Sequence, residues 1–216
     1  MKPGFRWPAV AAVVGFFTSA VFSSLLHWSR DAFVGAWLVV AGLTVAAWVT
    51  AGRWSPAVQL RRRWISGLMV GVVAGALLSF TVTRQPASAA PAGTTAIGPL
   101  LWLGLVYGAV DAVMLNVIPV LSVYGARSAA DLRGVGRLRW ASLALAASLV
   151  ITAAYHAGFA EYRGAGMLQP LFGNLIITLT YLLSGSPLAP IAAHVLMHSA
   201  AVLHGAATTS QLPPHY

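Results

Sequence analysis

Apolar residues run along this chain in long unbroken stretches separated by short polar links, with no sustained apolar/polar alternation. A helix that crosses a bilayer needs about 20 mostly apolar residues. The pattern predicts seven such helices, over 8–27, 32–50, 65–83, 98–123, 140–160, 167–183 and 190–206. Between them lie RWSPAVQLRRRW, the Pro- and Ala-rich RQPASAAPAGTTA, and RSAADLRGVGRLR. Gly and Ala are frequent inside the runs, where small side chains let helix backbones approach closely in lipid. No internal repeat and no separate soluble domain is visible. The expected fold class is all-α, a polytopic membrane helix bundle forming one integral domain over 1–216. The first run follows basic residues, as a secretory signal does. It is longer than a signal core and more spans follow, so it is read as a retained first helix.

Composition sharpens this picture. Hydrophobic residues make up 58% of the 216 and charged residues 8%. Soluble domains carry about 25% charged residues, so the chain has too little charge to clothe a water-facing surface. Lys and Arg outnumber Asp and Glu by 13 to 4, but the arginines sit in the links. They read as a topology signal rather than a nucleic-acid surface. With the N-terminus cytoplasmic, Lys2, Arg6, Arg53, Arg61, Arg62, Arg63, Arg127, Arg133, Arg137 and Arg139 lie inside, and only Arg30, Arg84 and Arg163 outside. The expected partners are membrane lipids, anionic headgroups at the Arg61–Arg63 run among them, and the expected location is a cytoplasmic membrane of bacterial type. Cysteine is absent, which excludes disulfides, thiolate metal sites and cysteine nucleophiles.

Few polar side chains remain to carry chemistry. Asp31, Asp131 and Glu161 fall at helix ends or in loops, whereas Asp111 sits in mid-span in LVYGAVDAVMLNVIPV. An acid at that depth costs several kcal/mol unless paired or protonated, and marks a functional position. Asn116 lies five residues on, off the face of Asp111 in an α-helix, and is expected to make an interhelical hydrogen bond near the Pro119 kink. His156 stands in ITAAYHAGF. His194 and His198 share one face of the last helix at i, i+4 spacing, which permits two imidazoles on one metal. The Glu of an HExxH zinc site does not stand between them. His27, His204 and His215 are assigned no role.

From about Pro99 through the last helix the chain resembles the CPBP family, membrane proteins related to CAAX prenyl proteases and including bacteriocin-immunity-type members. GNLIITLTYLLSGSPLAPIAAHVLMHSA is similar to the family's third motif, ITAAYHAGF to its second, and VDAVMLNVIPV stands where the first, EExxxR, would lie. The resemblance implies a core over about 99–205. It places Asp111 at the water-activating Glu, Ala112 at the second Glu and Asn116 at the Arg. Thr152 stands for the Phe of the second motif, His156 for its His, His194 for the third-motif His and His198 for the oxyanion-holding Asn.

The function expected is an intramembrane hydrolase or protease with a modified site of Asp111, His156, His194 and His198, acting on a membrane-embedded peptide or lipidated chain. Asp111 and His156 would activate water, while His194 and His198 stabilise the oxyanion or, with Asp111 and His156, share zinc or iron. One alternative is a membrane enzyme for a lipid or isoprenoid with Asp111 as general acid. In that case Trp102, Tyr107, Tyr155, Phe159 and Tyr181 are available for cation–π contact. Another is a catalytically silent adaptor or immunity protein. A proton-relaying transporter is a further alternative, though no paired broken helices point to one.

Overall fold

The computed structural model describes residues 5–52, 55–126, 135–205 and 207–214, and among these every regular element is a helix. Seven helical runs are long and apolar enough to cross a membrane. They are α1 (Arg6–Leu25), α2 (Arg30–Gly52), α4 (Trp64–Val82), α5 (Gly93–Gly125), α6 (Val135–Ala157), α7 (Leu168–Ser184, entered through a 3-10 turn) and α8 (Leu188–Gly205). A short α3 (Pro56–Arg61) lies in the basic link after α2, where no element was expected; Pro56 opens it, as suits a residue with no N–H to leave unpaired. Asp131, Arg53, Arg127, Arg133, Lys2 and His215 lie outside the described residues. Large apolar side chains such as Leu43, Val73, Phe172 and Leu183 are exposed on the flanks of the bundle, as a lipid-facing surface requires.

The bundle is drawn together by small residues. α4 packs along α8, and a Cβ at Gly75 would meet Leu196 Cβ at 2.8 Å. One at Gly71 would strike the Ala189 carbonyl. α5 approaches α8 from the other side at Gly108, where a Cβ would stand 3.1 Å from the His198 ring and from Val195 Cα. The histidine-bearing helix therefore runs between α4 and α5 at separations only glycine allows.

α5 departs from the regular helix expected over 98–123. Its α-helical middle, Gly108–Ala112, is flanked by π-helical segments at Leu100–Tyr107 and Val113–Val117. Such i→i+5 segments are rare and concentrate at functional sites. Pro119 explains part of the disturbance. It has no N–H for the carbonyl of Leu115 four residues back, and that carbonyl accepts from Ser148 Oγ on α6 instead, at 2.5 Å.

The ends of the bundle differ. Arg61, Arg62 and Arg63 precede α4 at one end, and the turn between α7 and α8 lies there too, with Gly185 beside the Arg63 side chain. At the other end the segment 207–214 returns across the loops. Ser210 N–H donates to Gln85 Oε1 (3.1 Å), Gln85 donates to Gln211 Oε1 (2.9 Å), and Arg30 Nε donates to the Pro213 carbonyl (2.6 Å). Tyr162 OH donates to the Ser210 carbonyl, and Leu212 is buried beneath this strap.

Candidate functional site

α5 and α8 cross with their polar residues in register. Asp111 Oδ2 stands 3.8 Å from His198 Nε2, and Asn116 Oδ1 stands 3.0 Å from His194 Nε2. Five residues on α5 thus match four on α8. An α-helix would turn Asn116 off the Asp111 face; the π segment Val113–Val117 returns it to α8. The sequence expectation that these two positions diverge is corrected by that segment, while the expected interhelical hydrogen bonding of Asn116 is observed.

The hydrogen bonds around Asn116 set the state of His194. Thr178 Oγ donates to the Asn174 carbonyl (2.8 Å) and Ser148 Oγ to the Leu115 carbonyl. Each hydroxyl has a single proton, directed to a carbonyl or to the other hydroxyl 2.8 Å away; neither is spent on an amide nitrogen, so both oxygens accept from amide N–H groups. Asn116 Nδ2 donates to Thr178 Oγ (2.9 Å) and to Asn174 Oδ1 (2.7 Å), and Asn174 Nδ2 donates to Ser148 Oγ (2.9 Å). Asn116 Oδ1 is left facing His194. An amide oxygen only accepts, so His194 Nε2 carries the proton and its Nδ1 keeps the lone pair.

That lone pair points at the rest of the cluster. His194 Nδ1 is 3.4 Å from His198 Nε2. Asp111 Oδ1 accepts from Trp37 Nε1 at 2.8 Å, which leaves Oδ2 toward His198. One ligand atom from each of Asp111, His194 and His198 lies within 4.8 Å of the others, and all three residues are buried. Three electron-rich atoms gathered away from bulk water require a proton or a cation among them. Among the described residues His198 Nδ1 has no hydrogen-bond partner. Tyr107 meets His198 edge-on at 5.0 Å, its OH 3.0 Å from that of Tyr155, and Tyr155 stacks on Trp37 at 4.8 Å.

His156 lines the same cavity but stands outside this triad. Its Nδ1 donates to the Thr152 carbonyl at 2.8 Å, and Tyr155 and Tyr162 meet its ring edge-on. The four-residue site expected from the sequence is therefore a close triad with His156 on the adjoining wall. Trp37 was missed. Nothing in the apolar run of α2 distinguishes it from an ordinary packing aromatic. Among the five aromatics proposed from sequence, Tyr107 and Phe159 line the cavity and Tyr155 backs it. Trp102 instead lines a separate surface cleft with Asp31 and Pro91. His204 Nε2 donates to the Gln85 carbonyl at 2.7 Å.

The cavity measures about 550 Å³, inside the range of about 300–1,000 Å³ usual for small-ligand sites. Its wall is mostly apolar, built from side chains such as Leu77 and Leu78 of α4, Leu115 of α5, Ile176 and Ile177 of α7 and Met197 of α8, with Asp111, His156, His194, His198 and Asn174 among its polar points. The chain matches no family model, no curated protein and no solved structure. The chemistry of the site is thus argued from its own residues.

Proposed function

We propose that this protein is an integral membrane hydrolase, similar to the CPBP family, that cleaves a membrane-embedded substrate carrying a carbonyl centre. The observation behind this reading is the buried convergence of Asp111, His194 and His198 on the wall of a mostly apolar cavity. The 3.8 Å between Asp111 Oδ2 and His198 Nε2 is too long for a direct hydrogen bond and suits a bridging water. Asp111 takes a proton from that water as its oxygen bonds to the substrate carbonyl carbon. The other water proton rests on the His194 Nδ1 lone pair. A proton on His198 Nε2 meets the developing oxyanion, the task of a preorganised donor. The bond to the leaving group then breaks, and the proton held by Asp111 passes to the leaving heteroatom.

A second reading has its own support. Ligand atoms about 2.0–2.2 Å from a tetrahedral zinc stand about 3.4 Å from one another, and the two histidine nitrogens are 3.4 Å apart. Asp111, His194 and His198 would hold zinc or iron as a two-His, one-carboxylate set. Asn116 on the far nitrogen of His194 and Trp37 on the far oxygen of Asp111 are the outer partners such ligands need. A bound metal would supply Lewis acidity and a more acidic water.

Elemental analysis of the purified wild type beside His194→Ala/His198→Ala separates the two. One equivalent of zinc or iron, lost in the variant, selects the metal site. No metal in either leaves acid–base chemistry by Asp111 or a catalytically silent protein, which turnover by Asp111→Asn then separates. Unchanged turnover in Asp111→Asn would remove the hydrolase reading altogether.

A further inference from the structure

The cavity has a side opening as well as a catalytic wall. Leu77 of α4 and Phe172 of α7 both line it, yet are 54% and 65% exposed. A Cβ added at Gly173, next to Phe172 and also in the lining, would meet nothing within 4 Å. The gap therefore faces the flank of the bundle, where the surroundings are lipid. The aqueous end is covered by the strap, with Leu212 buried and Ser210 bonded to Gln85.

Size and charge narrow what enters. An α-helix about 10 Å across rises 5.4 Å per turn, so one turn fills roughly 400 Å³. A cavity of about 550 Å³ holds little more than one such turn, which excludes an intact transmembrane helix but admits a single flexible chain. Among the described residues that line it there is no Lys or Arg. Its polar end offers the neutral groups of Gln85, Gln169, Ser210 and Gln211. A phosphate there would be buried near Asp111, and the neighbouring cation, Arg30, already donates to the Pro213 carbonyl, so its burial is costly.

We propose that the cavity takes the acyl chain of a single-chain lipid with an uncharged head group, admitted from the bilayer between α4 and α7. This names the substrate class of the hydrolase reading and rests on it for turnover, but not for binding. The test is native mass spectrometry of the full-length protein with monooleoylglycerol and, as the charged counterpart, oleoyl lysophosphatidic acid. The expected result is one monooleoylglycerol per protein and binding of the phosphate lipid weaker by about tenfold or more. Gly173→Trp, and separately Leu77→Trp on the opposite lip, should each weaken monooleoylglycerol binding by about tenfold. Gly35→Trp should leave it unchanged, because that position also meets nothing within 4 Å and lies outside the cavity. Equal binding of the phosphate lipid overturns the uncharged head group. Undiminished binding in both portal variants overturns the lateral entry, and no binding of monooleoylglycerol overturns the proposal as a whole. Oleate release is scored separately: binding without release supports the lipid site and counts against the hydrolase.

Discussion

At the scale of single residues, Asn116 organises the site although it would touch no reacting atom. Its amide donates to Asn174 and Thr178 and accepts from His194. Asn116→Ala would leave a buried imidazole N–H without an acceptor, a loss of about 1–3 kcal/mol. The expected outcome is a lower unfolding temperature in detergent together with lower turnover; an unchanged melting curve would show that the network carries no stability. Asp111→Asn is the complementary change. Its amide oxygen still accepts from Trp37, so the fold should persist, while loss of the base should lower turnover by about 10²–10⁴. Asp111 was legible in the sequence because a carboxyl in mid-span is expensive wherever it sits. Asn116 was legible only as a hydrogen bonder, because its second partner depends on where α8 runs.

At the scale of elements, the contacts of α8 decide whether the site exists. Its histidines reach Asp111 and Asn116 only because Gly108 lets α5 come close, and α8 is held from behind by α4 at Gly71 and Gly75. Gly71→Leu should force the Ala189 backbone away and destabilise the protein by about 1–3 kcal/mol or more, read as a fall in unfolding temperature. The same change at Gly42, where nothing lies within 4 Å of an added Cβ, should be nearly neutral. Equal effects at both positions would rule out the close α4–α8 approach. The π segments of α5 were not legible, since a continuous apolar run reads alike in either helix type. Only Pro119 announced a disturbance, and its consequence, the Leu115 carbonyl turned to Ser148, needed the position of α6.

At the scale of the whole molecule, the Arg61–Arg63 link lies at the end opposite the C-terminal strap. The absence of cysteine makes this directly testable, because any introduced cysteine is unique. Arg61→Cys and Ala165→Cys, both at exposed positions, should react with an impermeant thiol reagent from opposite sides of the membrane. The Arg61 position should be labelled from the cytoplasmic side. Labelling of both from one side would overturn the topology. The all-α bundle, its seven helices long and apolar enough to cross a membrane among the described residues and its candidate Asp and His residues were determined by the sequence alone, because burying backbone and charge in lipid leaves few solutions. Which candidates converge was decided by tertiary structure. Asp111 and Asn116 meet His198 and His194 because a π segment and a glycine contact set the register of α5 on α8. Trp37 arrives from a helix far away in sequence, and His156 is held on the neighbouring wall by its bond to Thr152. Hydropathy reports how deep each residue lies, but not which helix it will face.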